Sequence, residues 1–371
     1  MKYFAYFLPG FHEDNLNNQW WGEGFTEWDN LKSCSPLYTG HIPNTPPKDG
    51  YYDLSDPKTL SNQIRKIKSS GLDGITIYDY WSEGKRPLGK FIDLFLENNS
   101  LDIEFSVCWG NHAWTRSWRN KSGSLDVLLD QKYSLNDEKQ FNHYCKIFSD
   151  DRYLKVDGSL FFQIYKPEDI PNVDIFVKNL RAFVLSKTGD LLHISAVVKS
   201  PFISNEFLGC FDSVTIGNPT ACMFSPNNLF QEIQVKNVLS DPLQYIRSAP
   251  MWLKKIAYKF VDLIPKKPSF FEYSDLNNKL LEQLRLANAS LTKPIFPSVF
   301  VGFDNTPRYK KSAKIVKNVD FLSFHRSLVD VQAVTNQNDL VFINAWNEWG
   351  EGMALEKMVD YDPNFTSLKP N

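Results

Sequence analysis

Leu340-Val341-Phe342-Ile343-Asn344-Ala345-Trp346-Asn347-Glu348-Trp349-Gly350-Glu351-Gly352 joins an apolar run to a cluster of tryptophans, amides and carboxylates. Its first half is hydrophobic at consecutive positions, the pattern of a strand covered on both faces. Read as a strand from Leu340 to Trp349, it ends where its polar chemistry begins. Parallel α/β folds collect their reactive groups in this way, at the carboxyl ends of strands.

Seven further runs of the same type precede it: Tyr3 to Leu8, Gly74 to Trp81, Ile103 to Trp109, Ser159 to Tyr165, Leu191 to Val198, Ser213 to Asn218 and Pro294 to Phe303. Helical periods fall between them. Asp56 to Ser70 opens with a capping aspartate and a proline and stops at Gly71. Leu88 to Asn98, Asn136 to Ser149, Val173 to Lys187 and Lys310 to Asn318 are further helical candidates. Eight strands alternating with helices predict an α/β (β/α)8 TIM barrel, with a doubly wound sheet as the alternative. The expected organisation is one domain over residues 1–371, with an elaborated insertion at 223–290 between strands six and seven. Within it, Met251 to Phe260 reads either as part of a loop packed on the barrel or as a basic amphipathic segment, giving peripheral membrane contact through 250–267.

The 371 residues carry 41 basic and 43 acidic side chains, so no global field favours nucleic acid or an anionic membrane. Aromatic residues make up 15% of the chain, and many sit in polar-flanked clusters. Such clusters suit an oligo- or polysaccharide partner, because the C–H faces of a pyranose pack on flat rings while its hydroxyls need hydrogen bonds. Five scattered cysteines without a CxxC pair read as reduced, buried thiols. The N-terminal run is broken by Pro9 and is too short for a signal peptide, and no run reaches the roughly 18 apolar residues of a membrane span. A cytoplasmic enzyme is expected; the oligomeric state is not encoded legibly.

Reading past each strand gives the candidate site. Sugar contacts are expected from His12, Asp79, Tyr80, Trp81, Trp109, Asn111, His112, Trp114, Arg116, Tyr165, Asp304, Asn305, Trp346, Asn347 and Trp349. Cleaving a glycosidic bond requires a proton for the departing oxygen and a second carboxylate near the anomeric carbon. Glu348 and Glu351 meet that need. In a helical turn their Cβ atoms would lie roughly 5 to 6 Å apart, closer to the retaining than to the inverting spacing. Close carboxylates also push their pKa values apart, leaving one protonated and one ionised. Trp346 and Trp349 are expected to wall the pair. His12, His112, Asp79 and Glu13 lack HxxxH or HExxH spacing, so neither a metal nor another cofactor is expected. Arg116 offers either a planar fork for an anionic substrate group or a structural salt bridge.

Six motifs in one order carry a family resemblance: Trp20-Trp21-Gly22-Glu23-Gly24-Phe25-Thr26-Glu27-Trp28, Gly50-Tyr51-Tyr52-Asp53-Leu54, Trp114-Thr115-Arg116, Asp151-Arg152-Tyr153, Asp304-Asn305-Thr306-Pro307-Arg308 and Asn344 to Gly352. The chain resembles the WbsX-like polysaccharide-biosynthesis proteins, which are related to the endo-α-mannosidases and endo-mannanases of glycoside hydrolase family 99. The resemblance adds Trp21, Glu27 and Trp28 to the expected sugar contacts. It also implies that Glu351 is the general acid/base and that Glu348 takes the proton of the sugar's 2-hydroxyl, giving a 1,2-anhydro intermediate and net retention. One departure is evident: WbsX-like chains usually read Asn-Glu-Asn-Trp-Thr-Arg where this one has Asn111-His112-Ala113-Trp114-Thr115-Arg116, which removes a carboxylate beside the sugar.

The expected activity is a retaining glycoside hydrolase or transglycosylase acting on a bacterial surface polysaccharide or its precursor. A nucleotide-sugar-dependent glycosyltransferase of O-antigen or capsule biosynthesis is the alternative, for which Asp360-Tyr361-Asp362 and the Glu348 to Glu356 spacing speak. A non-catalytic carbohydrate-binding barrel is the third reading; it would have no need of a carboxylate pair.

Overall fold

Consecutive burial of the apolar runs produces nine parallel strands, which form one nearly closed barrel in the computed structural model. The structure describes residues 1–115, 127–199, 203–217, 219–223, 267–335 and 340–369. The strands are β1 (Lys2–Phe7), β2 (Gly74–Asp79), β3 (Glu104–Trp109), β4 (Ser159–Ile164), β5 (Leu192–Val198), β6 (Ser213–Ile216), β7 (Ile295–Phe296), β8 (Ser298–Phe300) and β9 (Leu340–Asn344). Around the barrel their order is β7-β6-β5-β4-β3-β2-β1-β9-β8.

The two ends of that order are neighbours in sequence. Pro297 splits the expected seventh strand, so that β7 pairs with β6 and β8 pairs with β9. A proline has no N–H for a ladder. The Phe342 N–H donates to the Pro297 carbonyl at 3.0 Å, and the Ser298 hydroxyl reaches back to the Ile216 carbonyl. The eight expected strands are therefore all present, with the seventh in two pieces.

Alternate residues of β1 face opposite ways. Phe4 and Tyr6 join Phe161, Phe296 and Phe342 in one cluster, while Tyr3, Ala5 and Phe7 join the larger cluster that includes the helices. The first set fills the barrel lumen, as a packed barrel of this width requires. Gly74 is dictated by this packing, since a Cβ there would lie 2.3 Å from the Phe4 ring and 2.6 Å from the Glu104 carbonyl.

The helices among the described residues include α1 (Asn15–Trp21), α2 (Glu27–Lys32), α3 (Pro57–Ser69), α4 (Lys90–Glu97), α5 (Glu138–Phe148), α6 (Val173–Thr188), α7 (Tyr273–Ser290), α8 (Thr306–Tyr309), α9 (Phe321–Val334) and α10 (Leu355–Tyr361). Helix α3 begins as its sequence dictates, with the Asp56 carboxylate accepting from the Lys58 and Thr59 N–H groups and Pro57 in the first turn. The helix expected over Lys310 to Asn318 is not formed. Lys310–Ser312 make a 3-10 turn, and Lys314–Lys317 form a strand parallel to Ser269–Glu272. The adjacent β-branched Ile315 and Val316 are buried there, and tertiary packing overrides a weak helical period. Helices α7 and α9 were not expected. The former occupies the last part of the 223–290 stretch and buries Leu276, Leu280 and Leu284.

Most of the expected insertion, including the amphipathic segment within 250–267, lies outside the described residues, as do Arg116 and Asn218. Among the described residues no helix is long and apolar enough to cross a membrane. None of the five cysteines is in a disulfide; Cys34, Cys108, Cys145 and Cys222 are buried and Cys210 is half-buried.

Candidate active site

Glu348 follows β9 by four residues and opens a tight loop. Its N–H donates to the Met353 carbonyl at 3.1 Å, and the Met353 N–H returns a bond to its carbonyl at 3.0 Å. Between them Trp349–Glu351 form a 3-10 turn, tighter than the helical turn expected from the three-residue spacing. Gly352 closes the loop with a left-handed φ of 67°, and a Cβ there would stand 2.7 Å from the Asp304 nitrogen. That close approach lets the Asp304 N–H donate to the Glu351 carbonyl at 2.7 Å, tying the loop after β8 to the loop after β9. Asp304 is itself held by His41 Nε2 at 2.7 Å.

The same tie places Arg308. Helix α8 starts after Asn305, whose side-chain oxygen accepts the Lys314 N–H at 2.7 Å, and Arg308 occupies its third position. One terminal guanidinium nitrogen, Nη2, stands 3.1 Å from Glu27 Oε2 and 3.0 Å from Glu348 Oε1, while Nη1 lies 2.7 Å from Glu351 Oε1. Glu27 comes from the first position of α2, where the Asp29 carboxylate accepts the Thr26 N–H at 2.8 Å and fixes the start of the helix. Three carboxylates from two distant parts of the chain thus converge on one cation.

Removing this group from water raises the Glu348 carboxyl to about 8; Arg308 opposes the shift, and Glu351 and Glu27 add to it by repulsion. The three carboxylates hold the Arg308 guanidinium charged against its own burial. One cation cannot neutralise three carboxylates, so near neutral pH the adjacent Glu348 and Glu351 keep one proton between them. One proton between two adjacent carboxyl groups is what combined acid and base chemistry needs.

These groups line a cleft of about 370 Å³ at the carboxyl ends of the barrel strands. Tyr6, Tyr78, Tyr165 and Val197 come from or just beyond β1, β2, β4 and β5, and Trp21, Tyr80, His112, Trp114 and Lys199 complete the lining used below. Tyr80 and Trp114 meet edge to face with centroids 5.0 Å apart. Burial lowers His112 to about 4, helped by Lys166 and Lys199, so its ring is neutral.

Of the expected residues, the cleft brings together Glu348, Glu351, Trp21, Glu27, Tyr80, His112, Trp114 and Tyr165. Arg116 lies outside the described residues, and the remaining ones do not line the cleft. Trp346 and Trp349 do not wall the carboxylates: both are buried, donating to Gln63 at 2.7 Å and Glu356 at 3.0 Å. Asn347 clamps both backbone groups of Leu8 at 2.8 and 2.9 Å, and Asn111 clamps those of Lys166 at 2.7 Å each. Trp28 donates to the Tyr52 carbonyl, Trp109 is buried in the core, and Trp81 stacks on His143, which contacts Asp79 at 2.9 Å. His12 is buried outside the cleft lining, and Asp304 and Asn305 serve the loop tie. The important group that sequence reasoning passed over is Arg308, although Asn305-Thr306-Pro307 before it is a readable helix start.

The transferase signatures are engaged elsewhere. Asp360 pairs with Lys66 at 2.6 Å and accepts the Lys48 N–H, and Asp362 accepts the Phe321 N–H at 2.7 Å. Glu356 is fully buried and takes bonds from Tyr52, Gln63 and Trp349.

A parallel barrel with an acidic cleft at its carboxyl rim defines a protein of the TIM-barrel class. The chain belongs to the family described as glycosyltransferase WbsX, which it matches over residues 3–368. Two similar proteins are the uncharacterized WxcX proteins of Xanthomonas campestris pv. campestris, from strain ATCC 33913 (28% identical) and strain B100 (29% identical). Each alignment covers 95% of this chain and 46% of the relative, so the chain spans about half the length of these curated relatives. The fold is similar to that of the GH99 endo-alpha-mannosidase from Bacteroides thetaiotaomicron, with a TM-score of 0.52 at 12% identity over 100% of this chain and 92% of the other. A glycoside hydrolase-like protein gives a TM-score of 0.56 at 11% identity, covering 96% and 86% of the two chains.

Proposed function

We propose that this chain is a retaining glycoside hydrolase or transglycosylase acting on a bacterial surface polysaccharide or its precursor, with Glu348 and Glu351 as its catalytic carboxylates. The supporting observation is the contact of both side chains with one guanidinium in one cleft. In the first step Glu351 gives its proton to the departing glycosidic oxygen as the C1–O bond breaks. Glu348 takes the proton of the 2-hydroxyl, whose oxygen bonds to C1 and closes a 1,2-anhydro ring. In the second step water, or the hydroxyl of another glycan, loses its proton to Glu351 and attacks C1. The ring opens and Glu348 returns the proton to the 2-oxygen, so the two inversions give net retention. Burial of Glu348 makes it a stronger proton acceptor than a solvated carboxylate, which suits the weakly acidic hydroxyl.

The engagement of Asp360, Asp362 and Glu356 in structural contacts favours this reading over a nucleotide-sugar transferase. The test is incubation with a panel of bacterial surface glycans and aryl glycosides, with products read by mass spectrometry, for the wild type and Glu351→Gln. Retained full activity in the variant would reject the assignment. Transfer that requires an added UDP- or GDP-sugar would establish the transferase instead.

A further inference from the structure

The cleft is electrostatically lopsided. Glu27, Glu348 and Glu351 gather around Arg308, but Lys199, one residue beyond β5, lines the same cleft without an acidic partner within ion-pair distance among the described residues. Its ammonium stands 5.3 Å from the centre of the Tyr165 ring. Burial and the nearby Lys166 lower its pKa, against the weaker pull of Glu168 and Asp169. The adjoining His112 is neutral, so it adds a polar edge and no counter-charge.

A cation withdrawn from water without a partner costs free energy unless something arrives to pair with it. Among the described residues no such group is present; an anionic ligand entering the cleft would supply it. We infer that Lys199 recognises an anionic substituent, a carboxylate or a phosphate, on a sugar ring seated against Tyr165, so that the substrate is an acidic glycan. The ring face accepts the sugar's C–H surface while the ammonium takes the anionic group, and the acidic cluster around Arg308 is left to the glycosidic bond. Such a lysine also penalises a neutral sugar, which would cover the ammonium without pairing it. This inference rests on the proposed carbohydrate function of the same cleft.

The experiment is a binding titration of the full chain, followed by ligand-observed NMR, with D-glucuronate, D-glucose 6-phosphate and D-glucose. We expect at least one anionic sugar to bind about tenfold more tightly than glucose, the ratio that one charge-assisted contact supplies. The preference should vanish in Lys199→Met, return in Lys199→Arg, and weaken with added salt. Which of the two anions binds distinguishes carboxylate from phosphate recognition. Equal binding of all three sugars, binding of neither anion, or an unchanged preference in Lys199→Met would overturn the inference. Affinity is read without turnover: a chain that binds acidic sugars but cleaves nothing removes the hydrolase reading alone, whereas cleavage of neutral glycans alone removes this one.

Discussion

Arg308 and Glu351 meet at 2.7 Å, and the guanidinium that makes this contact also stands between Glu27 and Glu348. Arg308→Met should therefore leave three partly buried carboxylates without a cation. The expected loss is about 3 to 5 kcal/mol near neutral pH. Without the guanidinium the folded carboxylates hold protons more strongly, so the deficit is present above their pKa values and shrinks as acid protonates them. Urea unfolding at about pH 7 and about pH 4 checks both the size and the sign.

Glu348 and Glu351 should separate by leaving group. Glu351→Gln loses the proton donor, so turnover of an unactivated glycan falls by about a hundredfold or more. An aryl glycoside with a good phenol leaving group needs little protonation and should be cleaved much faster by that variant than the natural bond. Glu348→Gln removes the acceptor and should be slow on both. Equal losses on both substrates in the two variants would show that the roles are not divided in this way.

A falling limb near 8 is expected in the pH profile of kcat/KM, because Glu348 and Glu351 must keep the one proton they share and burial of Glu348 holds it up to about 8. Activity should fall about tenfold for each pH unit above that limb. A rising limb at the same position would show that the active form carries no proton on the pair. The stability effect follows the same pKa. A carboxyl raised in the folded state favours folding below its unfolded pKa, and this contribution is lost as pH rises through about 8. Glu348→Gln should therefore gain melting temperature relative to the wild type over that interval.

Glu356 gives the opposite outcome to the catalytic pair. Its side chain is buried and holds Tyr52 at 2.8 Å, Gln63 at 2.7 Å, Trp349 at 3.0 Å and Lys66 at 3.2 Å. Glu356→Ala should cost about 3 to 5 kcal/mol by stranding three donors and removing one of the carboxylates that hold Lys66. Glu356→Gln, if folded, should retain turnover within a few-fold; loss of kcat in a stable Glu356→Gln protein would return the transferase spacing to consideration.

The barrel was legible because Leu340 to Asn344 and its counterparts are apolar at consecutive positions, a pattern that buried parallel strands impose. Glu348 and Glu351 could be found because strand ends direct attention to them. Arg308 was missed because its partner Glu27 is 281 positions away, and no local period encodes such a meeting. Trp346, Asn347 and Asn111 illustrate a related difficulty. Their residue types suit sugar binding, yet each is used from within to hold backbone or buried side chains, and sequence does not distinguish a side chain aimed at a ligand from one aimed beneath it. Lys310 to Asn318 failed for a third reason, because the strand there depends on Ser269–Glu272 lying alongside.

The division of the seventh strand at Pro297 has a mechanical meaning. A cylinder of hydrogen bonds yields first where a rung is absent, and here a serine side chain bridges the joint from Ser298 to Ile216. The wall is joined along that line by single contacts rather than by a regular ladder, the Phe342 N–H to the Pro297 carbonyl being one of them. Pro219 and Gly217, just past β6, lie beside the line and border the cleft, so the joint in the wall falls between them and the tied loops that carry Glu351 and Asp304.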